Sequence, residues 1–442
     1  MSKDQRQNPL SHNQLFGNRN FMALWIGQTI SFVGDYFYWL ATPIMVERLT
    51  GSTVMVGLSV IFNALPMLLL GPVAGVFVDR WDRKRTMIVA DLLRALLVLL
   101  CLLVQRPEQV WIYYLVGFSM SCVSRFFFPS QNAVLPLIVP DQNQLLAANG
   151  LMQMVQTVGL VVGPALAGFS IALWGERVAF LADSLTFLLS AAAILTIAVP
   201  RTTQGRQVAG RRLAAVWNEM VAGAAYMFGS ATMVGVLICL AAVQLGIGAI
   251  NVAWIPFMQR TFGLEAEGLG AVDASQGVGM VIGAAVLGTL MRRFSKRQMA
   301  GWGIVGIGVA IGLIGLAPPF SLVDLFPTLQ VEAAVADLAM GERLLRMPLL
   351  LLLYSVALGV ALVPAQSALI TMMQLAVPDL KRGRVGSVLN ALTTAAGLIS
   401  MAAAAAFGEA IGLRTVYVLS GSIVAVAGVL GLVVLRDPES HL

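Results

Sequence analysis

Charged residues are scarce in this sequence. Only 11% of its 442 residues are Asp, Glu, Lys or Arg, and 58% are hydrophobic, whereas a soluble domain carries about 25% charged residues. A water-soluble chain of this composition could not cover its apolar surface, but a lipid bilayer solvates such a surface directly. Stretches of about 20 apolar residues are typical of transmembrane helices, and they follow one another along almost the whole chain. The composition therefore predicts an all-α membrane protein.

Cysteine and histidine are also rare. The three cysteines, Cys101, Cys122 and Cys239, each fall inside an apolar run, so they offer neither a disulfide framework nor the spacing of a metal site. The two histidines lie near the ends of the sequence, which argues against a histidine metal site or a histidine-based catalytic triad. Gly-x-Ser-x-Gly, His-Glu-x-x-His and Gly-x-x-x-x-Gly-Lys motifs are all missing. We therefore expect neither an enzyme nor an ATP-driven pump, and no cofactor or metal.

The positive charges lie in alternate connectors between the apolar runs. The net charge of +6 would suit a nucleic-acid partner, but no aromatic-rich basic segment lies outside the runs, so we reject that partner. Because cytoplasmic loops carry an excess of Lys and Arg, we predict a multi-pass protein of the inner (plasma) membrane with both termini in the cytoplasm. The basic connectors hold Arg80, Arg83, Lys84 and Arg85, then Arg201, Arg206, Arg211 and Arg212, then Arg292, Arg293, Lys296 and Arg297, then Lys381, Arg382 and Arg384.

Twelve apolar runs form two groups of six. We predict a first six-helix bundle in residues 1–199, a cytoplasmic linker with an amphipathic helix in 200–229, and a second six-helix bundle in 230–442. The first run is too long for a signal-peptide core, so we expect it to remain as an anchor. The connector 318–347 is expected to lie outside with a short helix. The runs fall near 21–46, 53–78, 86–105, 110–136, 150–173, 178–199, 230–258, 268–291, 299–317, 348–376, 385–410 and 415–435.

The two groups repeat each other in sequence. One constant offset superposes several landmarks of the first three runs on the second group, and larger offsets superpose those of the next two. Two parallel six-helix repeats imply a pseudo-twofold axis along the membrane normal, with the substrate site between the halves. The superposed pairs are Pro43 and Pro256, Gly57 and Gly270, Gly75 and Gly288, Arg80 and Arg293, Pro129 and Pro364, Asp141 and Asp379, and Gly159 and Gly397.

The connector after the second run carries a recognisable motif. It reads Gly-Val-Phe-Val-Asp-Arg-Trp-Asp-Arg-Lys-Arg over residues 75–85, which resembles the loop motif of the major facilitator superfamily, although Trp81-Asp82 replaces the more usual pair. The resemblance covers nearly the whole chain and implies the major facilitator fold, with twelve transmembrane helices in two pseudo-symmetric six-helix bundles. It also implies a conformational latch on the cytoplasmic side, with a purely topological role as the alternative. The latch would comprise Gly75, Asp79, Arg80, Arg83 and Lys84.

The fifth run carries a second motif, with Gly159, Gly163, Pro164 and Gly168 in one stretch. Glycines four residues apart share one face of a helix and permit close packing, and a proline inside a helix can bend it. The pattern resembles the motif of superfamily exporters and drug–proton antiporters. The resemblance therefore implies an exporter.

Charged residues inside the apolar runs are candidates for function, because a charge at mid-bilayer costs roughly 2.5–3.5 kcal/mol. Asp35 lies in the middle of the first run, Arg125 in the fourth and Asp183 in the sixth. We predict that Asp35 couples transport to protons, that Arg125 modulates it, and that Asp183 is a second candidate. The alternative is that Asp35 only holds substrate. Asp91 and Arg94 are three apart and are expected to pair along one helix.

A substrate cavity between the halves should be apolar with few polar groups. Aromatic and methionine side chains suit bulky amphipathic molecules, because their packing is adaptable. The alternative is that individual members of this set face lipid or neighbouring helices. The candidates for the lining are Tyr36, Trp39, Gln131, Gln153, Gln244, Asn251 and Trp254, with Phe32, Phe127 and Gln276 beside them.

Within the superfamily, the sequence most resembles the macrolide-efflux and siderophore-exporter branch. The residues that carry this resemblance are Ser31-Phe-Val-Gly-Asp35, the 79–84 loop, and Pro129 with the prolines that follow it. It implies secondary active efflux of amphipathic small molecules, antibiotic, drug or siderophore-like, by alternating access in exchange for protons. A lysophospholipid flippase, a facilitator or an importer of another small solute are the alternatives. The expected partners are a small-molecule substrate, protons and the lipid bilayer, and a monomer suffices for alternating access.

Overall fold

The computed structural model describes residues 15–78, 81–199, 213–319 and 347–435. Over these ranges thirteen long helices account for nearly all of the chain, and two short 3-10 helices join α3 to α4. The helices are α1 (Arg19–Thr50), α2 (Thr53–Val78), α3 (Arg83–Leu99), α4 (Trp111–Ile138), α5 (Gln142–Trp174), α6 (Glu176–Thr196), α7 (Leu213–Phe228), α8 (Ala231–Phe262), α9 (Ala266–Arg293), α10 (Lys296–Leu316), α11 (Leu349–Ala376), α12 (Asp379–Ile411) and α13 (Leu413–Val434).

Twelve of these helices form the two bundles. Eleven contain a stretch long and apolar enough to cross a bilayer. The twelfth, α1, has 32 residues but is less apolar than the others, because Gln28, Asp35 and several aromatic residues with polar groups interrupt its apolar run. Large apolar side chains such as Leu96, Ile399 and Val433 are exposed on the outer surface of the bundles, where lipid would solvate them.

The sequence repeat is visible in the helix boundaries. The number of residues from the start of α2 to the start of α9 equals the number from the start of α3 to the start of α10. The number from the start of α1 to the start of α8 is almost the same. The separation between the starts of α4 and α11 is larger, because additional residues fall in the connector between α10 and α11. The expectation of a short helix in 318–347 concerns residues that lie almost entirely outside the described ranges.

Glycines end or join helices at equivalent places in the two repeats. Gly51 and Gly263 follow α1 and α8 with φ of 58° and 65°, and Gly175 and Gly412 join α5 to α6 and α12 to α13 with φ of 81° and 86°. A side chain at any of these positions would be strained, because only glycine adopts positive φ readily. The repeat therefore preserves the helix ends as well as the apolar runs.

The two ends of the bundle differ in how the halves meet. We call the end with the α2–α3, α9–α10 and α11–α12 connectors the basic end, and the other the opposite end. Near the opposite end, α2 packs on α12 and α5 packs on α9. A Cβ on Gly57 would lie 2.6 Å from the Cβ of Ala405. One on Gly168 would lie 3.0 Å from the Cα of Gly270. The halves are therefore in close contact at the opposite end.

The linker helix α7 packs against the second half. The sequence predicts an amphipathic helix from Arg211 to Phe228, and α7 covers Leu213–Phe228, while residues 200–212 are outside the described ranges. The Tyr226 hydroxyl donates to the carbonyl of Ala376 over 3.1 Å, and Lys381 Nζ lies 4.6 Å from the centroid of the Tyr226 ring. These contacts attach α7 to the basic ends of α11 and α12.

Candidate functional site

A cavity of about 510 Å³ lies between the two halves, within the range of small-molecule sites. Its wall combines aromatic and aliphatic side chains with a few polar groups, and both halves contribute. From the first half it is lined by Phe32, Asp35, Tyr36, Tyr38, Trp39, Asn63, Met120, Ser121, Ser124, Arg125, Phe128, Leu160 and Pro164. From the second half it is lined by Ile247, Ile250, Asn251, Trp254, Asp273, Gln276, Ile311, Ile314, Ser355, Leu358, Leu362 and Tyr417.

A second cavity of about 250 Å³ continues toward the basic end. Arg125 and Phe128 line both cavities. The remaining lining comes from α2 and α4 of the first half and from the basic-end part of α12, including Ser387 and Asn390. The gap between the halves therefore continues toward the basic end, while the opposite end is closed by helix packing.

The structure brings together most of the predicted lining residues. Tyr36, Trp39, Asn251 and Trp254 line the cavity, as do Phe32 and Gln276.

Four predicted lining residues lie elsewhere. Phe127 is buried within the first half, where its ring packs against the Arg94 guanidinium. Gln131 is buried within the first half and does not line the cavity. Gln153 is exposed near the basic end of α5 and bonds to Gln156 over 3.2 Å. Gln244 lies about one turn nearer the basic end than the lining residues of α8, where Gly397 of α12 approaches it.

Asp35 occupies the wall of the cavity in front of a set of buried charges. Its carboxylate interacts electrostatically with Arg94 and Asp91 of α3 and with Asp183 of α6. This set, Asp35, Asp91, Arg94 and Asp183, is the buried charge cluster. Helices α1, α3 and α6 of the first half position it, since α1 and α3 both pack on α6.

Asp91 and Arg94 pair along α3, which confirms the pairing predicted from their spacing. Both are buried, with 0% and 3% exposure. The Arg94 guanidinium lies 4.5 Å from the centroids of the Phe127 and Phe187 rings, where cation–π attraction partly replaces hydration. The pair is therefore held in an apolar environment from which water is excluded.

Asp183 is fully buried on α6. The Thr186 hydroxyl donates to its main-chain carbonyl over 2.7 Å and lies 3.5 Å from its carboxylate Oδ1. The other carboxylate oxygen, Oδ2, has no hydrogen-bond partner. Asp183 therefore lies behind the cavity wall instead of lining it.

Arg125 lines the cavity on α4, but the cation that acts on Asp35 is Arg94. Arg125 Nε has no hydrogen-bond partner. Because Arg125 lies between the two cavities, a molecule that enters from the basic end would pass its charge on the way to the larger cavity. The sequence predicts a modulating role for Arg125, and that role stays a prediction.

The glycines of α5 allow it to pack closely against α1 of its own half and against α9 of the other half. Gly159 faces the ring of Phe32 and Gly163 faces the ring of Tyr36, so two residues four apart on α1 fit two glycines four apart on α5. Farther along, Gly168 meets the backbone of α9, and a Cβ on it would lie 2.5 Å from the Ala266 carbonyl oxygen. Pro164 lines the cavity between these contacts. This segment of α5 therefore links the cavity wall to the interface between the halves.

Part of the predicted latch falls outside the described residues. Asp79 and Arg80 are not described, and of Gly75 only the helical backbone is. Arg83 is the first residue of α3. Lys84 Nζ donates to the carbonyls of Leu195 and Ile197 over 2.8 and 2.7 Å, so it binds the end of α6. The latch itself stays a prediction.

The sequence analysis did not select Asp273 as a candidate site residue. The structure places Asp273 in the cavity wall, beside Gln276 of the same helix. The repeat indicated which face of α9 meets the cavity, because the offset that aligns Pro43 with Pro256 also aligns Asn63 with Gln276, and both of the latter line the cavity. Asp273 lies three residues before Gln276, on the same face of the helix.

Comparison with known proteins gives the family. The family model of the Major Facilitator Superfamily matches residues 24–238 and again residues 236–442. Macrolide efflux protein A of Streptococcus pyogenes is 26% identical over 303 residues, covering 67% of this chain and 73% of that protein. An enterobactin exporter of Citrobacter koseri is 26% identical over 305 residues, covering 68% and 71%.

A solved structure shares the fold. The crystal structure of a bacterial homologue of the iron transporter ferroportin, in an inward-facing state, superposes with a TM-score of 0.70 at 16% identity, covering 94% of this chain and 98% of that one. With the two six-helix halves, the cavity between them and the double match of the family model, the conclusion is that this chain is a transporter, not an enzyme, and belongs to the Major Facilitator Superfamily.

Proposed function

We propose that this transporter is a secondary active exporter that moves amphipathic small molecules out of the cell by alternating access, in exchange for protons. The observation that carries the proposal is the position of Asp35, on the wall of a cavity between the halves and in front of the buried charge cluster.

Similarity supports the direction of transport. One relative is named for macrolide efflux and another for enterobactin export. Macrolides and enterobactin are both small molecules, and the aromatic and aliphatic wall of the cavity suits an amphipathic one. The glycine motif of α5 also resembles that of superfamily exporters.

The buried charge cluster supports coupling to protons. A carboxylic acid holds its proton more readily in a dry environment, and releases it more readily beside a cation. Asp35 lies between a solvent-accessible cavity and Arg94, so a movement of α1 relative to α3 would change the balance between those environments. Asp183 is the second candidate for the proton, and Arg125 would modulate Asp35 from the cavity side.

The charge distribution supports an orientation. We place the basic end in the cytoplasm, because cytoplasmic connectors carry an excess of Lys and Arg. In that orientation the described conformation is closed toward the outside and open toward the cytoplasm. An exporter would take up its substrate from the cytoplasm in this state.

The test is extrusion of a fluorescent dye from proteoliposomes under an imposed pH gradient. We expect gradient-driven transport by the wild type and a loss of at least tenfold in Asp35→Asn, because the amide cannot exchange a proton. Glu108→Gln is the matched control, since it also removes one carboxylate but at an exposed position in the α3–α4 connector. Transport indifferent to the gradient in every variant would exclude antiport and favour a facilitator or a lysophospholipid flippase.

A further inference from the structure

We infer that Asp273 of the second half is the recognition site for a positive charge on the substrate, so that the transported molecules are amphipathic cations. The inference rests on the proposed exporter function and adds to it the chemical class of the substrate. It assigns the two acidic residues of the cavity different tasks, with Asp35 serving the proton and Asp273 serving the ligand.

Asp273 lies at the closed end of the cavity. It is the eighth residue of α9, so it lies about 10 Å from the opposite end of that helix at 1.5 Å per residue. Arg125 is the fifteenth residue of α4, about 20 Å from the same end. The closed end of the cavity therefore carries a negative group, and the positive group lies nearer the basic end.

Asp273 differs from Asp35 in its electrostatic surroundings. Asp35 has Arg94 nearby. By contrast, none of the ion pairs within the described ranges includes Asp273, and its carboxylate Oδ2 is buried without a hydrogen-bond partner. A buried carboxylate oxygen without a partner is costly, and a cationic group entering the cavity would supply the missing partner.

Aromatic side chains around Asp273 provide the remainder of a cation site. Tyr36 of the first half and Tyr417 of the second half both interact electrostatically with Asp273, and Trp254 also lines the cavity. The faces of Tyr and Trp rings attract cations when water is excluded. Because Tyr36 and Asp273 belong to different halves, one bound cation would contact both halves.

The rest of the wall suits an apolar body attached to the charge. Ile247, Ile250 and Leu358 line the cavity, and its volume accommodates a drug-sized molecule. An anionic group would be favoured only near Arg125 and would leave Asp273 unpaired. The arrangement therefore favours cations over anions of the same size and hydrophobicity.

The experiment compares two probe ions of nearly equal size and opposite charge, tetraphenylphosphonium and tetraphenylborate. Equilibrium binding to the purified full-length chain in detergent is measured by titration calorimetry. We expect the wild type to bind tetraphenylphosphonium at least tenfold more tightly than tetraphenylborate. Asp273→Asn should weaken tetraphenylphosphonium binding at least tenfold without weakening tetraphenylborate binding. Asp273→Glu should retain most of the cation affinity, and Glu108→Gln should match the wild type.

Two outcomes would overturn the inference. One is equal binding of the cation by the wild type and a folded Asp273→Asn variant, and the other is a wild type that does not prefer the cation. The second comparison needs no variant, so it decides the matter even if Asp273→Asn does not fold. Since binding at equilibrium requires no gradient, Asp273-dependent cation binding combined with gradient-independent transport would remove only the antiport mechanism.

Discussion

Arg94 is the residue on which the buried charge cluster depends. It pairs with Asp91 on its own helix and interacts electrostatically with Asp35 and Asp183, which lie on neighbouring helices. All three partners are acidic, so Arg94 is the cation that offsets them. Removing one member of a buried pair leaves an uncompensated charge, which typically costs about 3–5 kcal/mol.

We therefore expect Arg94→Met to be strongly destabilised, by about 3–5 kcal/mol. The methionine fills a similar volume between the two phenylalanine rings, so the loss reflects the charge more than a cavity. The measurement is thermal unfolding of the purified protein in detergent. Asp91→Asn combined with Arg94→Met should recover part of the loss, because it removes the carboxylate left unpaired.

Arg106→Gln is the control for this change. Arg106 is exposed in the α3–α4 connector, and surface substitutions usually alter stability by less than about 0.5 kcal/mol. If Arg94→Met unfolded at the same temperature as Arg106→Gln, the cluster would have no role in stability.

The sequence predicted some residues of the site correctly and missed others. Asp35 and Trp254 were identified because a charge or an aromatic group inside an apolar run stands out in the sequence. Gln153 and Gln131 were selected as polar residues inside apolar runs but lie elsewhere, because composition does not indicate which part of a helix meets the other half. Asp273 was not selected because a charged residue so near the end of its helix is expected to contact water, whereas the closed end of the cavity extends to that level.

At the level of helices, the close packing of α5 on α9 controls how tightly the halves meet. Gly168 and Gly270 are in backbone contact near the opposite end. Alternating access requires this contact to form in one state and separate in the other. A small increase in side-chain volume at Gly168 should therefore disfavour the described conformation.

We expect Gly168→Ala to lower both the unfolding temperature and the transport rate, because its methyl group would lie 2.5 Å from the Ala266 carbonyl oxygen and 3.0 Å from the Cα of Gly270. Gly150→Ala on the same helix is the matched control, since a Cβ there has no atom within 4 Å. Alanine favours helix over glycine by about 1 kcal/mol, so Gly150→Ala should be neutral or slightly stabilised. Thermal unfolding and dye transport give the two readouts, and equal behaviour of the two variants would contradict the interpretation.

The helices themselves were the most predictable part of the molecule. The apolar runs anticipated all twelve bundle helices, and the change of offset along the sequence anticipated the different spacing of α1–α3 and α4–α6 from their counterparts. The conformation could not be predicted, because the same helices serve every state of an alternating-access transporter. Which end is closed depends on contacts such as that between Gly57 and Ala405, and these lie far apart in sequence.

For the whole molecule, the repeat has a direct structural consequence at the opposite end. Glu47 and Arg260 have the same separation in sequence as Pro43 and Pro256, so they are equivalent positions in the two halves. They nevertheless pair with each other, with Arg260 Nε donating to Glu47 Oε1 over 2.7 Å. Equivalent positions meet directly only near the pseudo-twofold axis, so this ion pair joins the halves close to that axis.

Arg260 extends this pair into a network. Its Nη2 donates to the Gly51 carbonyl over 2.7 Å, and its Nη1 lies 3.3 Å from Glu409 Oε1. The same Glu409 oxygen accepts from the backbone N–H of Thr53 over 2.7 Å. Two helices of the first half and two of the second are therefore connected at the closed end.

We expect Arg260→Gln to shift the population toward a state open at the opposite end. Hydrogen bonds to charged groups contribute about 1.5–3 kcal/mol each, so the loss of this network should change the ratio of the two states at least tenfold. The readout is maleimide labelling of an Asn251→Cys variant from the opposite end, in a background without the native cysteines. Arg48→Gln is the matched control, because Arg48 pairs with Glu176 over 2.6 Å at the same end but within one half. Faster labelling in Arg260→Gln alone would identify the network as the element that holds the halves together, whereas equal rates in both variants would assign closure to helix packing.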